Sequence, residues 1–266
     1  MPQGPISDTW ESGSPYEQYV GRWSRRVAPL FLSWLRIPPE RRWVDVGSGT
    51  GALCAAILDG CSPSAVTGVE SSEGFLKAAH ANLSSRATLT QGTAATIPLG
   101  DRTADVVVCG LVLNFVPDVG AALAEMARVL KSGGTLGGYV WDYSDRMELI
   151  RHFWDAAAEL DPDSAKLDEG VRFPLCKPEA LLAALRDAGL RSPEVTAIDV
   201  PTEFPTFDAY WSPFLGGQGP APAYAMSLDQ SARTRLRDRL RERLPIAPDG
   251  SVALVARAWA FRASSA

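Results

Sequence analysis

Apolar residues fall in two different periods along this chain. From Tyr16 to Leu35 they recur three and four residues apart, and Val20, Trp23, Val27, Leu30, Phe31 and Trp34 share one face, which predicts helix. Pro29 inside that stretch predicts two helices or a kink, and Pro38-Pro39 ends it. Short β-prone runs then alternate with amphipathic ones. Strands are expected at 43–46, Ala65–Glu70, Ala87–Gln91 and, after a turn at Asp101, through Gly110. Helices are expected at Ala52–Leu58 and Val119–Leu130. Lys131-Ser132-Gly133-Gly134 closes the second helix, with Gly133 and Gly134 expected as its left-handed C-cap, and Thr135-Leu136 opens a fifth strand. Beyond Asp142 the pattern predicts helices at Met147–Leu160 and Pro178–Ala188, separated by a polar loop running to Pro174. A sixth strand at Val195–Val200, an amphipathic helix at Ser227–Leu244 and a last strand at Val252–Phe261 complete the chain. Strands interleaved with helices predict an α/β sheet.

The chain has 266 residues, 46% of them hydrophobic, enough for one large domain or a domain with an elaborated cap. A net charge of -5 supplies no global positive field for nucleic acid or an anionic membrane surface. No apolar run approaches the ~18 residues of a membrane span, and Met1 to Asp8 lacks a basic region followed by an apolar core. Cys54, Cys61, Cys109 and Cys176 form no CxxC pair and read as reduced thiols of a cytoplasmic protein. His80 and His152 have no neighbour at metal-ligand spacing, so no metal site is expected. Arginines crowd the helix near 233–243, but Asp238 and Glu242 stand among them and a solvated, ion-paired face is the simpler reading. The expected partner is a small-molecule substrate, with no nucleic acid and no membrane; oligomeric state is left open.

The chemistry is expected at Trp43-Val44-Asp45-Val46-Gly47-Ser48-Gly49-Thr50-Gly51. An apolar strand passes abruptly into alternating glycines and then a helix. Such a turn bends sharply, lets a ligand lie against bare backbone and aims helix N–H groups into the same crevice. Gly47-x-Gly49-x-x-Ala52 fits a dinucleotide fingerprint. Glu70, ending the next strand, stands where an acid binds a ribose diol, a feature shared by dinucleotide and other nucleoside sites.

Asp45-x-Gly47-x-Gly49-x-Gly51 also resembles motif I of the class I S-adenosylmethionine-dependent methyltransferases. The runs around Asp101–Val107 and Ala127-Arg128-Val129-Leu130-Lys131-Ser132-Gly133-Gly134-Thr135-Leu136 resemble the later motifs of the small-molecule group that includes quinone methyltransferases. The resemblance covers about residues 16–142. It implies a doubly wound, seven-stranded, mostly parallel Rossmann-like sheet whose last strand is antiparallel, carrying an inserted helical and aromatic cap. It divides the chain into an N-terminal helical lead (1–40), a cofactor-binding core (41–142) and the rest of the sheet with cap insertions (143–266, the insertions near 143–177 and 201–245). It implies S-adenosylmethionine as cofactor. Gly47, Ser48, Gly49 and Gly51 would take its amino acid end, Glu70 its ribose with Ser71 alongside, and Thr93 and Ala94 its adenine. Leu111, Asn114 and Phe115 would form a floor, and Tyr19 and Arg22, with Tyr16 and Trp23, would fold over it. Thr93 departs from the family's acidic residue and leaves the adenine contact without a charge.

Two aromatic-rich regions suggest a planar or apolar methyl acceptor. The candidate rings are Trp141, Tyr143, Trp154 and Phe173 in the first, and Phe207, Tyr210, Trp211 and Phe214 in the second. His152 is the candidate general base. An NAD-dependent oxidoreductase remains the alternative at the glycine turn, although no Tyr-x-x-x-Lys follows the fifth strand. A cofactor-binding protein with a non-methylating activity remains a further one.

Overall fold

The computed structural model describes residues 21–216 and 219–265; Tyr16 and Tyr19 lie outside them. The secondary structure runs α1 (Arg22–Leu35), β1 (Arg42–Val46), α2 (Ala52–Gly60), β2 (Ala65–Glu70), α3 (Glu73–Leu83), β3 (Thr88–Gln91), β4 (Ala104–Gly110), α4 (Val119–Val129) and β5 (Leu130–Trp141). It continues with α5 (Glu148–Leu160), α6 (Glu169–Arg172), α7 (Pro178–Asp187), β6 (Arg191–Phe204), α8 (Phe207–Trp211), α9 (Pro220–Ser227), α10 (Gln230–Arg243) and β7 (Val252–Ser264). Seven strands form one sheet in the order β3-β2-β1-β4-β5-β7-β6. The pairings β3–β2, β2–β1, β1–β4 and β4–β5 are all parallel. This is the doubly wound α/β sheet expected from the sequence.

The chain forms two compact units. One holds Ser24–Val140, Leu175–Ile198 and Ala258–Ala266; the other holds Trp141–Pro174 and Asp199–Arg257 with residues 21–23. In the first, Val44, Val46, Val107, Cys109 and Leu136 of the sheet pack with Leu123 and Met126 of α4 and Leu181 and Leu185 of α7. Each such aliphatic side chain contributes roughly 1.5–3 kcal/mol by leaving water. Ser72 caps α3 by accepting from the Phe75 N–H at 3.3 Å, and Asp118 caps α4 by accepting from the Ala121 N–H at 2.9 Å.

Two local expectations change. Residues Arg22–Leu35 form one helix through Pro29, which removes the two-helix alternative of the expectation. Pro29 cannot donate to the carbonyl of Arg25, but Val27, Ala28, Phe31, Leu32 and Leu35 are all buried and hold the helix together across the gap. The glycines after α4 do not cap it. Leu130 is already extended and begins β5. Ala104 pairs with Leu130 but Val106 pairs with Thr135, so residues 131–134 swing out of the ladder. Gly133 takes φ +72° there. A Cβ on Gly134 would lie 2.8 Å from the Lys131 carbonyl oxygen and 3.0 Å from that of Asp105, so close backbone approach demands glycine.

The second unit is more ordered than its sequence suggested. The stretch 162–176, expected as a loop, is a series of short helical turns. The expected helix at Ser227–Leu244 is α10, preceded by α9, which opens on Pro220. Arg233 joins the two: it donates to the carbonyls of Ala225 at 2.9 Å, Met226 at 3.2 Å and Leu228 at 2.7 Å, satisfying the end of α9.

Candidate functional site

The glycine turn follows β1 and is held by its neighbour strand. The N–H groups of Gly47 and Ser48 both donate to the Val69 carbonyl, at 2.8 and 3.0 Å, and Gly51 N–H donates to the Ser48 carbonyl at 2.8 Å. Gly47, Gly49 and Gly51 all have positive φ, at +70°, +55° and +87°. Their surroundings differ. A Cβ on Gly47 would meet Val112 Cγ2 at 2.4 Å, and one on Gly51 would meet Leu83 Cδ1 at 2.7 Å. One on Gly49 would meet nothing within 4 Å. Two glycines therefore let the turn pack closely, while the middle one faces open space in which a ligand can contact bare main chain.

Glu70 sits beside this turn and is buried. Its Oε2 accepts from the Gly49 N–H at 2.9 Å, and its Oε1 accepts from the Ser72 N–H at 2.9 Å and the Ser71 hydroxyl at 3.3 Å. One carboxylate thus ties the glycine turn to the start of α3, and Oε2, with a single donor, keeps lone-pair capacity for a further one. The Gly92 N–H donates to the Glu70 carbonyl at 3.1 Å, which brings the end of β3 alongside. There Thr93 and Thr96 exchange main-chain hydrogen bonds, leaving Thr93 exposed and Ala94 half-buried.

The turn after β4 supplies the remaining wall. Leu111 takes φ +62°, which costs a side-chain-bearing residue about 1–2 kcal/mol; its N–H is fixed to the Tyr139 carbonyl at 2.8 Å. The strain turns the chain so that Val112 packs on Gly47. Asn114 donates from Nδ2 to Cys176 Sγ at 3.6 Å, while its Oδ1 is buried without a partner. Phe115 stays 37% exposed. The structure therefore brings Gly47, Ser48, Gly49, Glu70, Ser71 and the 111–115 turn to the carboxyl ends of β1, β2 and β4, where open α/β sheets bind nucleotide-like ligands. Open space at Gly49 and buried, unpartnered oxygens on Asp45, Ser48 and Asn114 suit a polar ligand that brings its own donors and charge.

Arg22 belongs to the other unit, its guanidinium 4.3 Å from the centre of the Trp23 ring and 5.1 Å from that of Phe204. All eight candidate substrate aromatics are buried there, none more than 7% exposed. They pack on one another: Phe153 stacks on Phe214 at 4.5 Å, Tyr210 lies 5.5 Å from Phe214, and Tyr143 lies 5.8 Å from Phe173. The Tyr210 hydroxyl donates to the Leu149 carbonyl at 2.9 Å. These rings build the core of this unit. His152 is half-buried on α5, with Glu148 and Asp155 on its own helix and Arg243 from α10 nearby. Burial lowers its pKa. The arginines of α10 are engaged within the chain. Arg237 bonds Asp208, Arg239 and Arg243 bond Glu159, and Arg241 lies over Phe207.

Sequence reasoning passed over one polar cluster. Arg151 holds Asp168 through two bonds, at 3.1 and 2.5 Å, and also reaches Asp155 at 3.0 Å. Next to it Glu169 is 2% exposed, accepts from the Trp154 indole N–H, and is pushed up to about 7 by burial. Asp168 and Glu169 lie in the stretch read as a polar loop. No periodicity marks them, and their partners, Arg151 and Trp154, lie on α5.

Comparison with known proteins agrees with this geometry. Residues 44–137 match the family described as "Methyltransferase domain". An uncharacterised methyltransferase from Mycobacterium bovis is 36% identical over 118 residues, covering 44% of this chain and 46% of that protein. A demethylmenaquinone methyltransferase from Lactobacillus johnsonii is 33% identical over 144 residues, covering 52% and 58%. The chain thus spans about half the length of the curated relatives it matches. Among solved structures, phosphoethanolamine N-methyltransferase 2 of Haemonchus contortus, in complex with S-adenosylhomocysteine, superposes with a TM-score of 0.59 at 14% identity. That superposition covers 95% of this chain and 57% of that one. The fold is that of the class I methyltransferases, a class whose cofactor is S-adenosylmethionine. Within that class, residues 44–137 match the methyltransferase domain family, and the dinucleotide reading of Gly47-x-Gly49-x-x-Ala52 gives way to it.

Proposed function

We propose that this chain transfers the methyl group of S-adenosylmethionine to a small, aromatic or largely apolar metabolite. The observation that carries the reading is the clamp of Glu70 on the Gly49 N–H beside the open face of the glycine turn. When bound, the cofactor supplies a methyl group on a positively charged sulfur, already a good leaving group. The chain's own residues have to align, enclose and neutralise. Gly47, Ser48 and Gly49 offer main-chain groups to the amino acid end, and Glu70, with Ser71, offers acceptors to the ribose hydroxyls. Thr93 and Ala94 flank the adenine without a charge. Leu111, Asn114 and Phe115 line the reacting end.

A base is needed only when the acceptor must lose a proton. His152 is proposed for that role because an imidazole can accept a proton near neutrality. Unchanged turnover after His152→Ala would remove it. The partial likeness to a demethylmenaquinone methyltransferase supports a flat or apolar acceptor.

The direct experiment is calorimetric titration with S-adenosylmethionine and with NADH, followed by a search of cell extract for a product heavier by one CH₂. Binding of S-adenosylmethionine with a methylated product is expected. Binding of NADH instead overturns the reading. Cofactor binding with no S-adenosylhomocysteine formed would replace methyl transfer by a non-methylating reaction.

A further inference from the structure

Asp45 lies two residues before the first glycine of the turn and is 1% exposed. Among the described residues its carboxylate meets donors from α2 alone: the Cys54 thiol donates to Oδ2 at 3.2 Å and the Cys54 main-chain N–H also acts on it, while Oδ1 is buried without a partner. The groups that act on it come from every element packed against β1 here: Cys54 from α2, Glu70 from the end of β2 and Cys109 from β4. None of them is a cation. A thiol is a weak donor and Glu70 adds a like charge, so a carboxylate at this position has neither solvent nor counter-ion. Burial, reinforced by Glu70, accordingly pushes Asp45 up to about 7. An acid kept neutral in the core is costly to retain unless the site at some stage supplies positive charge.

We propose that Asp45 is a proton-coupled counter-ion for the cofactor: it gives a proton to solvent when S-adenosylmethionine binds and takes one back after methyl transfer. The proposal rests on reading the glycine turn as the S-adenosylmethionine site. The incoming sulfonium and ammonium groups favour the ionised form of Asp45, and its O–H bond breaks with the electron pair staying on oxygen. Methyl transfer then moves the sulfonium's positive charge to the acceptor, or to solvent as the acceptor's proton, and leaves a neutral thioether. Asp45 loses part of its counter-charge and is reprotonated from solvent. Affinity for the cofactor rises with pH while unliganded Asp45 is protonated, by up to about tenfold per unit, and levels off once it ionises unaided. The spent cofactor, with one cationic group fewer, is held less tightly by the same residue.

The test is calorimetric titration of the full chain at about pH 6.5 in phosphate and in bis-Tris, whose ionisation heats differ. Between about half and one proton released per S-adenosylmethionine is expected, with fewer for S-adenosylhomocysteine. Asp45→Asn, checked for folding by circular dichroism, should bind without release. Cys54→Ala removes the thiol donor and should move the levelling-off of affinity to higher pH. Equal heats in both buffers, equal release for the two ligands, or release that survives in Asp45→Asn would overturn the proposal. Each of those results still requires S-adenosylmethionine to bind. If it does not bind at all, the reading of the site has failed and the counter-ion role goes with it.

Discussion

The Glu70 carboxylate accepts the main-chain N–H of Gly49 across 2.9 Å, so the acid expected to hold a ligand also holds the loop that would receive it. Glu70→Gln must offer an amide NH₂ to one of the two donors now satisfied, the Gly49 or the Ser72 N–H. Hydrogen bonds to a charged group are worth about 1.5–3 kcal/mol. The variant should bind S-adenosylmethionine roughly 10- to 100-fold more weakly by calorimetry. An unchanged Kd would mean that Glu70 serves the loop alone.

Gly49 and Gly51 should fail in different ways when replaced by alanine. At Gly51 the new methyl meets Leu83, a fully buried side chain, and the backbone sits at φ +87°. Strain and overpacking together cost about 2–5 kcal/mol, visible as a lower Tm. At Gly49 the methyl enters open space, so the fold should lose only about 1–2 kcal/mol from the left-handed backbone. Its principal effect should be loss of ligand affinity. Equal thermal losses in the two variants would refute the distinction.

Arg151 and Asp168 form a forked ion pair with side-chain exposures of 20% and 9%. Removing the guanidinium strands a buried carboxylate, so Arg151→Ala should lower stability by about 3–5 kcal/mol in denaturant titration. Arg151→Lys keeps the charge but not the fork and should fall between. A change within the scatter of surface variants would show that solvent reaches Asp168.

Glu169 gives a pH signature of known sign. Its folded pKa, about 7, lies above the ordinary value of 4.5. The stability it contributes is therefore complete below about pH 4.5 and is lost as pH rises through about 7. The full excursion is on the order of 3 kcal/mol. Glu169→Gln removes this ionisation, so its stability should vary less than that of the parent chain across that interval. Parallel pH profiles for the two proteins would rule it out.

The core of the sheet was legible because each of its elements announces itself locally. The run before Gly47, the Ala65–Glu70 strand and the Val106–Cys109 strand carry their own periodicity, and the glycine turn has few uses other than ligand contact. Gly133 and Gly134 misled because the same residues that cap helices also permit close backbone crossings, and the pairing of β4 with β5 is set by contacts far apart in sequence. The cap was less legible for the same reason. Tyr210 and Phe214 looked available to a ligand when read along the chain, but they pack on each other, and Phe214 on Phe153, in three dimensions. Asp168 and Glu169, polar in sequence, become interior where Arg151 pairs with Asp168 and the Trp154 indole donates to Glu169.

The excursion at residues 131–134 also uncouples length from orientation in β5. Side chains on a strand alternate between its two sides, so losing one residue elsewhere in β5 would swing Leu136 and Val140 from the interior to the opposite side. Between Lys131 and Gly134 the register with β4 already shifts, so a change of length there need not move the pairing from Thr135 onward. That short span is where related chains can differ in length while every inward-facing position downstream keeps its partner.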